Sequence, residues 1–234
     1  VKIPQPEYIE EVITASNKSD PGGNGTKTSA APSNLLQIDE DCAKLLPDKA
    51  KQFHNIVAKS LYATKRSRPD TCTAVAYLTT RVRAPDNDDW TKLAHMIKYL
   101  RGTKNLPLIL SAASTGILKW WVDGSFAVHP GMRGHTGGGL SLGRGFPIVS
   151  STKQKLNTRS STETELVGVD DCMPAICWTR YFVQAQGYEV RENIVYQDNQ
   201  SAMLLERNGK ASSSKRTKHI NIRYYFVTDR IKQQ

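Results

Sequence analysis

Three acids in the second half of the chain stand in surroundings that make a carboxylate costly or conspicuous. Asp123 interrupts the apolar run WWVDGSF, where an unpartnered carboxylate is expensive to bury. Glu165, in TETEL, falls in the first turn of a long helical pattern, and Asp198, in YQDNQ, closes a short apolar run. Brought together, three such groups repel one another unless a divalent cation lies between them, so the set points to Mg²⁺ held through carboxylates and water. A pair of such ions activates water and stabilises the leaving oxygen of a phosphodiester. Each acid also has a local alternative. Glu165 can close a capping box with Thr162, in competition with a box between Ser160 and Glu163. Asp198 can cap the helix that follows, and Asp123-Gly124 can be a turn.

The elements needed to gather these acids are legible. LKWWVDGSFAV, GGGLSLGRG and FPIVSSTK are short β-favouring runs parted by glycine-rich turns, which predicts three antiparallel strands. A helix follows over 161–186, with Leu166, Val169, Met173, Ile176, Cys177 and Tyr181 on one side and Pro174 as a bend. ENIVYQD reads as a fourth strand, QSAMLLERN as a helix, GKASSSKRTK as a mobile basic loop and HINIRYYFVTDRIK as a last helix. The long helix is a crossover, so the fourth strand can lie parallel to the first and set Asp198 beside Asp123, with the start of the helix bringing Glu165. This is a mixed α/β arrangement. Upstream, 6–14 makes a short helix, 15–47 reads as a linker that is poor in large apolar residues over 15–34, and three amphipathic helices occupy 48–102. Their outer faces are expected to carry Lys59, Lys65, Arg66, Arg68, Arg81, Arg83, Lys92, Lys98 and Arg101 toward a phosphate backbone.

The 234 residues carry a formal charge of +10, with 38% hydrophobic and 23% charged side chains. A wholly disordered or collagen-like chain is excluded by that composition, and an anionic partner is favoured. By block the net charge is −3 over 1–50, +5 over 51–100, +4 over 101–150, −2 over 151–200 and +6 over 201–234. Basic regions thus flank the segment where carboxylates gather. No run is long and apolar enough for a membrane span and the first residues hold no signal core, so the chain reads as soluble and intracellular. Cys42, Cys72, Cys172 and Cys177 are scattered without a CxxC pair and read as reduced thiols.

VDGSF at 122–126, TEL at 164–166 and QDNQSA at 197–202 resemble, in order and spacing, the three carboxylate motifs of ribonuclease H. With SSTKQKLNTRSSTETEL and SKRTKHINIRYYFV they resemble the ribonuclease H domain of copia-type retrotransposon polyproteins over about residues 118–231. FHNIVAKSLYATKRSRPDTCTAVAYLTTRV and KYLRGT resemble the segment after the reverse transcriptase palm of the same polyproteins. The resemblance implies a division into 1–14 as the end of a palm-proximal segment, 15–47 as linker, 48–117 as a helical connection or thumb-like segment, and 118–234 as a ribonuclease H-like domain. It implies a mixed sheet of three antiparallel strands plus a parallel fourth, with the family's C-terminal strand and helix missing.

The activity implied is endonucleolytic cleavage of the RNA strand of an RNA–DNA hybrid with two Mg²⁺ ions, for which Mn²⁺ can substitute. Asp123, Glu165 and Asp198 would be the metal ligands, Asp123 bridging the ions. Ser161 and Thr162 would read the minor groove, where 2′-hydroxyls mark the RNA strand, and Gln200 would contact the hybrid. Lys153, Lys155, Arg159, Lys215, Arg216 and Lys218 would hold the backbone. The upstream palm would be a partner, and the implied location is intracellular, in cytoplasmic virus-like particles and the nucleus. Two departures matter. The family's fourth acid follows a fifth strand that is expected to lie past Gln234, and Asp229 does not take its place. His-Ile-Asn at 219–221 replaces His-Ile-Asp, at a position that is not a ligand, and His219 reads as structural or phosphate-facing. The rival expectation is a weakened or inactive remnant that binds nucleic acid without cutting it.

Overall fold

The computed structural model describes residues 1–17, 24–113, 116–208 and 221–232, with the backbone alone for 17 and 221–226. The chain divides into two compact units, Val1–Leu110 and Ser111–Gln234.

In the first unit, α1 (Pro6–Asn17) buries Ile9, Val12 and Ile13, the face set by three- and four-residue spacing. The next helix, α2 (Pro47–Arg66), begins on Pro47, whose missing N–H costs nothing at a helix start. Its buried stripe is Phe53, Ile56, Val57, Ser60, Ala63 and Thr64. Leu61 and Tyr62, one position off that stripe, are exposed. A 3-10 turn at Pro69–Thr71 leads into α3 (Cys72–Arg81). A capping box between Asp86 and Asp89 starts α4 (Asn87–Gly102). A short ladder joins β1 (Lys2–Ile3) to β2 (Leu108–Ile109).

Two expectations fail in this unit. The stretch 15–47 is not a bare linker: Ala30, Leu35 and Leu45 are buried in the core shared by the helices, and Leu45 N–H donates to Pro85 O at 2.9 Å. A few well-placed apolar anchors suffice where composition shows mostly polar residues. Nor are all the basic residues at the surface. Arg68 is 1% exposed and clamps Asp70 and Thr103, and Lys92, 2% exposed, pairs with Asp88 at 2.7 Å. Arg81 is held by Asp86 and Asp89 at 3.0 and 2.9 Å. These three cations stabilise the helical unit, because buried charges persist only when paired and hydrogen-bonded.

The second unit is mixed α/β, with a four-stranded mixed sheet. A small ladder pairs β3 (Ser111–Ala112) with a two-residue strand, β6, at Gly143–Arg144. The main sheet comprises β4 (Ile117–Ser125), β5 (His135–Ser141), β7 (Ile148–Lys153) and β8 (Glu192–Tyr196), in the order β7-β5-β4-β8. The first three run antiparallel, and β8 lies parallel to β4. The glycines 137–139 lie inside β5, as the run GGGLSLGRG predicts. Their missing side chains make room on both faces: a Cβ on Gly138 would meet Cys172 Sγ at 2.6 Å, and one on Gly139 would meet the Phe146 ring at 2.7 Å.

The crossover helix α5 (Ser161–Ala185) contains Pro174 and lays Leu166, Val167, Val169, Cys172, Met173 and Ile176 inward. Leu118, Trp120 and Val122 of β4 meet it in the core. Tyr181, expected on that face, is 59% exposed beside Trp178 and Phe182. After β8 come α6 (Gln200–Asn208) and α7 (Asn221–Lys232), joined by the Thr228 hydroxyl donating to Glu206 O at 2.7 Å. No helix among the described residues is long and apolar enough to cross a membrane. The basic loop with Lys215, Arg216 and Lys218, and His219 after it, lie outside the described residues.

Candidate metal centre

Strand alternation decides the orientation of Asp123. Leu118, Trp120 and Val122 are buried, so Lys119, Trp121, Asp123 and Ser125 take the opposite face of β4. Asp123 is within the strand, paired with Gly137, and is not a turn residue. The parallel pairing ends with Trp121 opposite Tyr196, so the chain leaving β8 carries Asp198 past the same end of the sheet as Asp123.

The capping alternatives resolve in favour of free acids. Ser160 Oγ accepts from Glu163 N at 3.2 Å, and the Glu163 carboxylate accepts from Arg159 N at 2.7 Å. The start of α5 is therefore capped without Glu165. Likewise Asn199 Oδ1 accepts from Ala202 N at 3.0 Å, so Asn199 caps α6 and Asp198 is left for other use.

Close packing then brings the helix to the strand. A Cβ on Gly124 would lie 2.9 Å from Thr164 O, so only glycine allows this approach. One ligand oxygen from each of Asp123, Glu165 and Asp198 lies within 4.8 Å of the others, with Glu165 buried and both aspartates exposed. The Glu165 carboxyl is pushed up to about 7, first by burial and then by the charges of Asp123 and Asp198, against hydrogen bonds from Gly124 N–H and Gln197. Gln197 Nε2 donates to Glu165 O at 3.2 Å and Oε2 at 3.4 Å. A cluster of mutually repelling oxygens with one member prepositioned is a donor set that fits a hard divalent cation.

The neighbouring residues fall into two groups. Ser161 and Gln200 are exposed at the first positions of α5 and α6, Thr162 is half-buried beside Ser161, Lys153 is exposed at the end of β7, and Lys155 and Arg159 are exposed between β7 and α5. None of these six makes a contact that fixes a role. Other residues hold the site up without having been singled out by their type. Gln154 is fully buried, and its Nε2 donates to Thr136 Oγ1 at 3.0 Å and Thr164 O at 2.9 Å, tying β5 to the start of α5. Gln197 adjoins Asp198 in sequence, the one signal that could have marked it. Glu206, buried on α6, has its carboxyl raised to about 7 by burial and then by Glu165. His129 Nε2 and His135 Nδ1 are 2.9 Å apart, and His135 Nε2 is 2.6 Å from Ser151 Oγ.

Comparison with known proteins gives relatives that include Pol polyproteins of plant transposons and the secreted RxLR effector protein 161 of Plasmopara viticola, to which the chain is 28% identical over 127 residues, 54% of its length. The chain is 27% identical over 235 residues, 98% of its length, to the retrovirus-related Pol polyprotein from transposon TNT 1-94 of Nicotiana tabacum. It is 30% identical over 188 residues, 80% of its length, to that from transposon RE2 of Arabidopsis thaliana, and 28% identical over 98% of its length to that from RE1 of the same plant. It spans only 17%, 13% and 15% of these relatives' own lengths, respectively. No family model matches the chain, and no solved structure does.

Proposed function

We propose that this chain, a homologue of the retrovirus-related Pol polyproteins of copia-type plant transposons over most of its length, carries a ribonuclease H-like unit that hydrolyses the RNA strand of RNA–DNA hybrids. The observation that carries the reading is the convergence of Asp123, Glu165 and Asp198, from a strand, a helix and a strand-to-helix junction, within 4.8 Å. Asp123, Glu165 and Asp198 would hold Mg²⁺, or Mn²⁺ in its place, in a two-ion arrangement. The chemistry such ions supply when bound is activation of water and stabilisation of the leaving oxygen of a phosphodiester. Gly124 N–H and Gln197 hold the Glu165 carboxylate in place by hydrogen bonds. Ser161, Thr162 and Gln200, at helix starts around the acids, would meet the minor groove, and Lys153, Lys155 and Arg159 the phosphates. Residues 1–110, one compact unit, would be the palm-proximal and connection part of the polyprotein, with its upstream palm as partner.

A labelled RNA–DNA hybrid incubated with the chain in Mg²⁺ tests this. Wild type should release shortened RNA, and Asp123→Asn should lower the rate at least a hundredfold and abolish stabilisation by Mg²⁺. A second reading, a hybrid-binding remnant without cleavage, is favoured by one observation: three carboxylates, not four, converge among the described residues. Binding of hybrid by wild type without any cutting would establish that reading.

A further inference from the structure

The sheet face opposite α5 carries a row of rings that the acid cluster does not use. Trp121 on β4 and Tyr196 on β8 are register partners whose rings stack, with centroids 5.1 Å apart and 23° between planes. Phe146 extends the row edge-on, 5.4 Å from Trp121, lying over Gly139 where a side chain would collide with it. The three are 41%, 41% and 38% exposed, while neighbouring Trp120 is 1% exposed. Three large rings left in water across three strands need a reason.

The surroundings say what would cover them. The row is one register position deep. Along β4 the same face carries Lys119 on one side of Trp121 and Asp123 on the other, and Glu192 lies on β8 two positions beyond Ile194. A packing helix would want an unbroken apolar stripe along the strands, and here the aliphatics beyond the rings, Ile117 and Ile194, are interrupted by Lys119 and Glu192, with Asp123 on the other side. Exposed aromatic rings in a row, with cationic Lys119 alongside, fit the bases of a single strand, which stack on such rings whatever their sequence. The unit is cationic as well: residues 111–234 hold sixteen Lys and Arg against ten Asp and Glu. Asp123 is two residues from Trp121, so a strand lying on the rings runs directly to the acids.

We infer that Tyr196, Trp121 and Phe146 form a stacking platform for unpaired bases of a nucleic-acid strand beside the acid cluster. The inference deepens the nuclease reading and rests on it for the class of polymer. The test uses the full chain in EDTA, where nothing is cut, and a fluorescent 12-nucleotide oligo(dT) followed by anisotropy. Wild type should bind it. Trp121→Leu should weaken binding about tenfold, the scale of one lost base–ring stack, whereas Trp121→Phe should stay within about threefold. Tyr196→Leu, on the edge strand, gives the same comparison should Trp121→Leu fail to fold. Absence of binding by wild type, equal affinity of wild type and the Leu variants, or a Phe variant as weak as Leu would overturn the platform and assign the face to a polypeptide. A chain that binds oligo(dT) through Trp121 but leaves hybrids uncut in Mg²⁺ keeps the platform and loses the nuclease reading. One that cuts hybrids while binding oligo(dT) independently of Trp121 does the reverse.

Discussion

Replacing Glu165 with glutamine should stabilise the metal-free protein at alkaline pH. A carboxyl moved from 4.5 to about 7 prefers the protonated form in the fold. Its ionisation therefore costs stability progressively as pH rises through that window, and the cost is fully present by pH 8. At about 1.4 kcal/mol per pH unit the penalty is ~3 kcal/mol, and allowing for water around the two exposed aspartates we take ~2 kcal/mol. Glutamine removes the charge, can still accept from Gly124 N–H, and leaves Gln197 a carbonyl to donate to. At roughly 2–4 °C per kcal/mol for a chain of this size, Glu165→Gln should melt about 4–8 °C above wild type at pH 8 in EDTA. The gain should vanish below about pH 3.5, where the native acid is protonated in both folded and unfolded states. Tryptophan fluorescence suits the measurement, since Trp120, Trp121 and Trp178 all report on the second unit. Millimolar Mg²⁺ should raise the wild-type melting temperature more than that of the variant. Equal melting of the two proteins at pH 8 in EDTA would refute the claim that burial and the neighbouring aspartates disfavour the ionised Glu165.

Three further outcomes follow from the same geometry. Gly124→Ala should cost roughly 1–3 kcal/mol in a denaturant titration, because the new methyl would press on Thr164 O and push the start of α5 away, and hybrid cleavage should fall with it. In the first unit, Arg68→Ala should cost roughly 2–3 kcal/mol by the same assay, since it removes a buried side chain that ties Asp70 to Thr103 and leaves a cavity, whereas Arg66→Ala, at an exposed position, should stay within ~0.5 kcal/mol. His129 titrates in the opposite sense to Glu165: burial, then the charges of His135 and Lys153, lower it to about 4. The stability that goes with its neutral form is present above pH 6.5 and lost as pH falls toward 4. Melting between those limits should therefore be less pH-dependent in His129→Gln, by ~1 kcal/mol after allowance for solvent.

The acids were legible because each breaks a local pattern: Asp123 in an apolar strand, Glu165 at a helix start, Asp198 at a strand end. Sequence alone could not tell a capping acid from a free one, because Ser160 and Glu163 compete with Thr162 and Glu165 for the same first turn; the hydrogen bonds from Glu163 N and Arg159 N decide it. The strand order, with its parallel fourth member, followed from a long crossover helix, which forces that direction. Residues 15–47 were misjudged because composition counts apolar residues without saying where they land, and Leu35 and Leu45 land in the core. Arg68, Arg81 and Lys92 were misplaced for a related reason: their carboxylate partners sit two to eight residues away, and a pattern of solvent-facing cations looks the same as one of paired ones. Gln154 was invisible because an amide that knits two elements together has no sequence signature beyond its identity.

The glycine run in β5 bears on how the second unit assembles. A central strand with three successive residues lacking side chains has little of its own to recommend an extended state, and each glycine surrenders more chain entropy than an alanine would. Its neighbours supply what it lacks, Cys172 from one side and Phe146 from the other. The strand should therefore not persist as an early hairpin awaiting its helix. Helix docking and sheet closure are one cooperative event, and the amides of Gly138 and Gly139 should exchange with deuterium only when the entire unit opens.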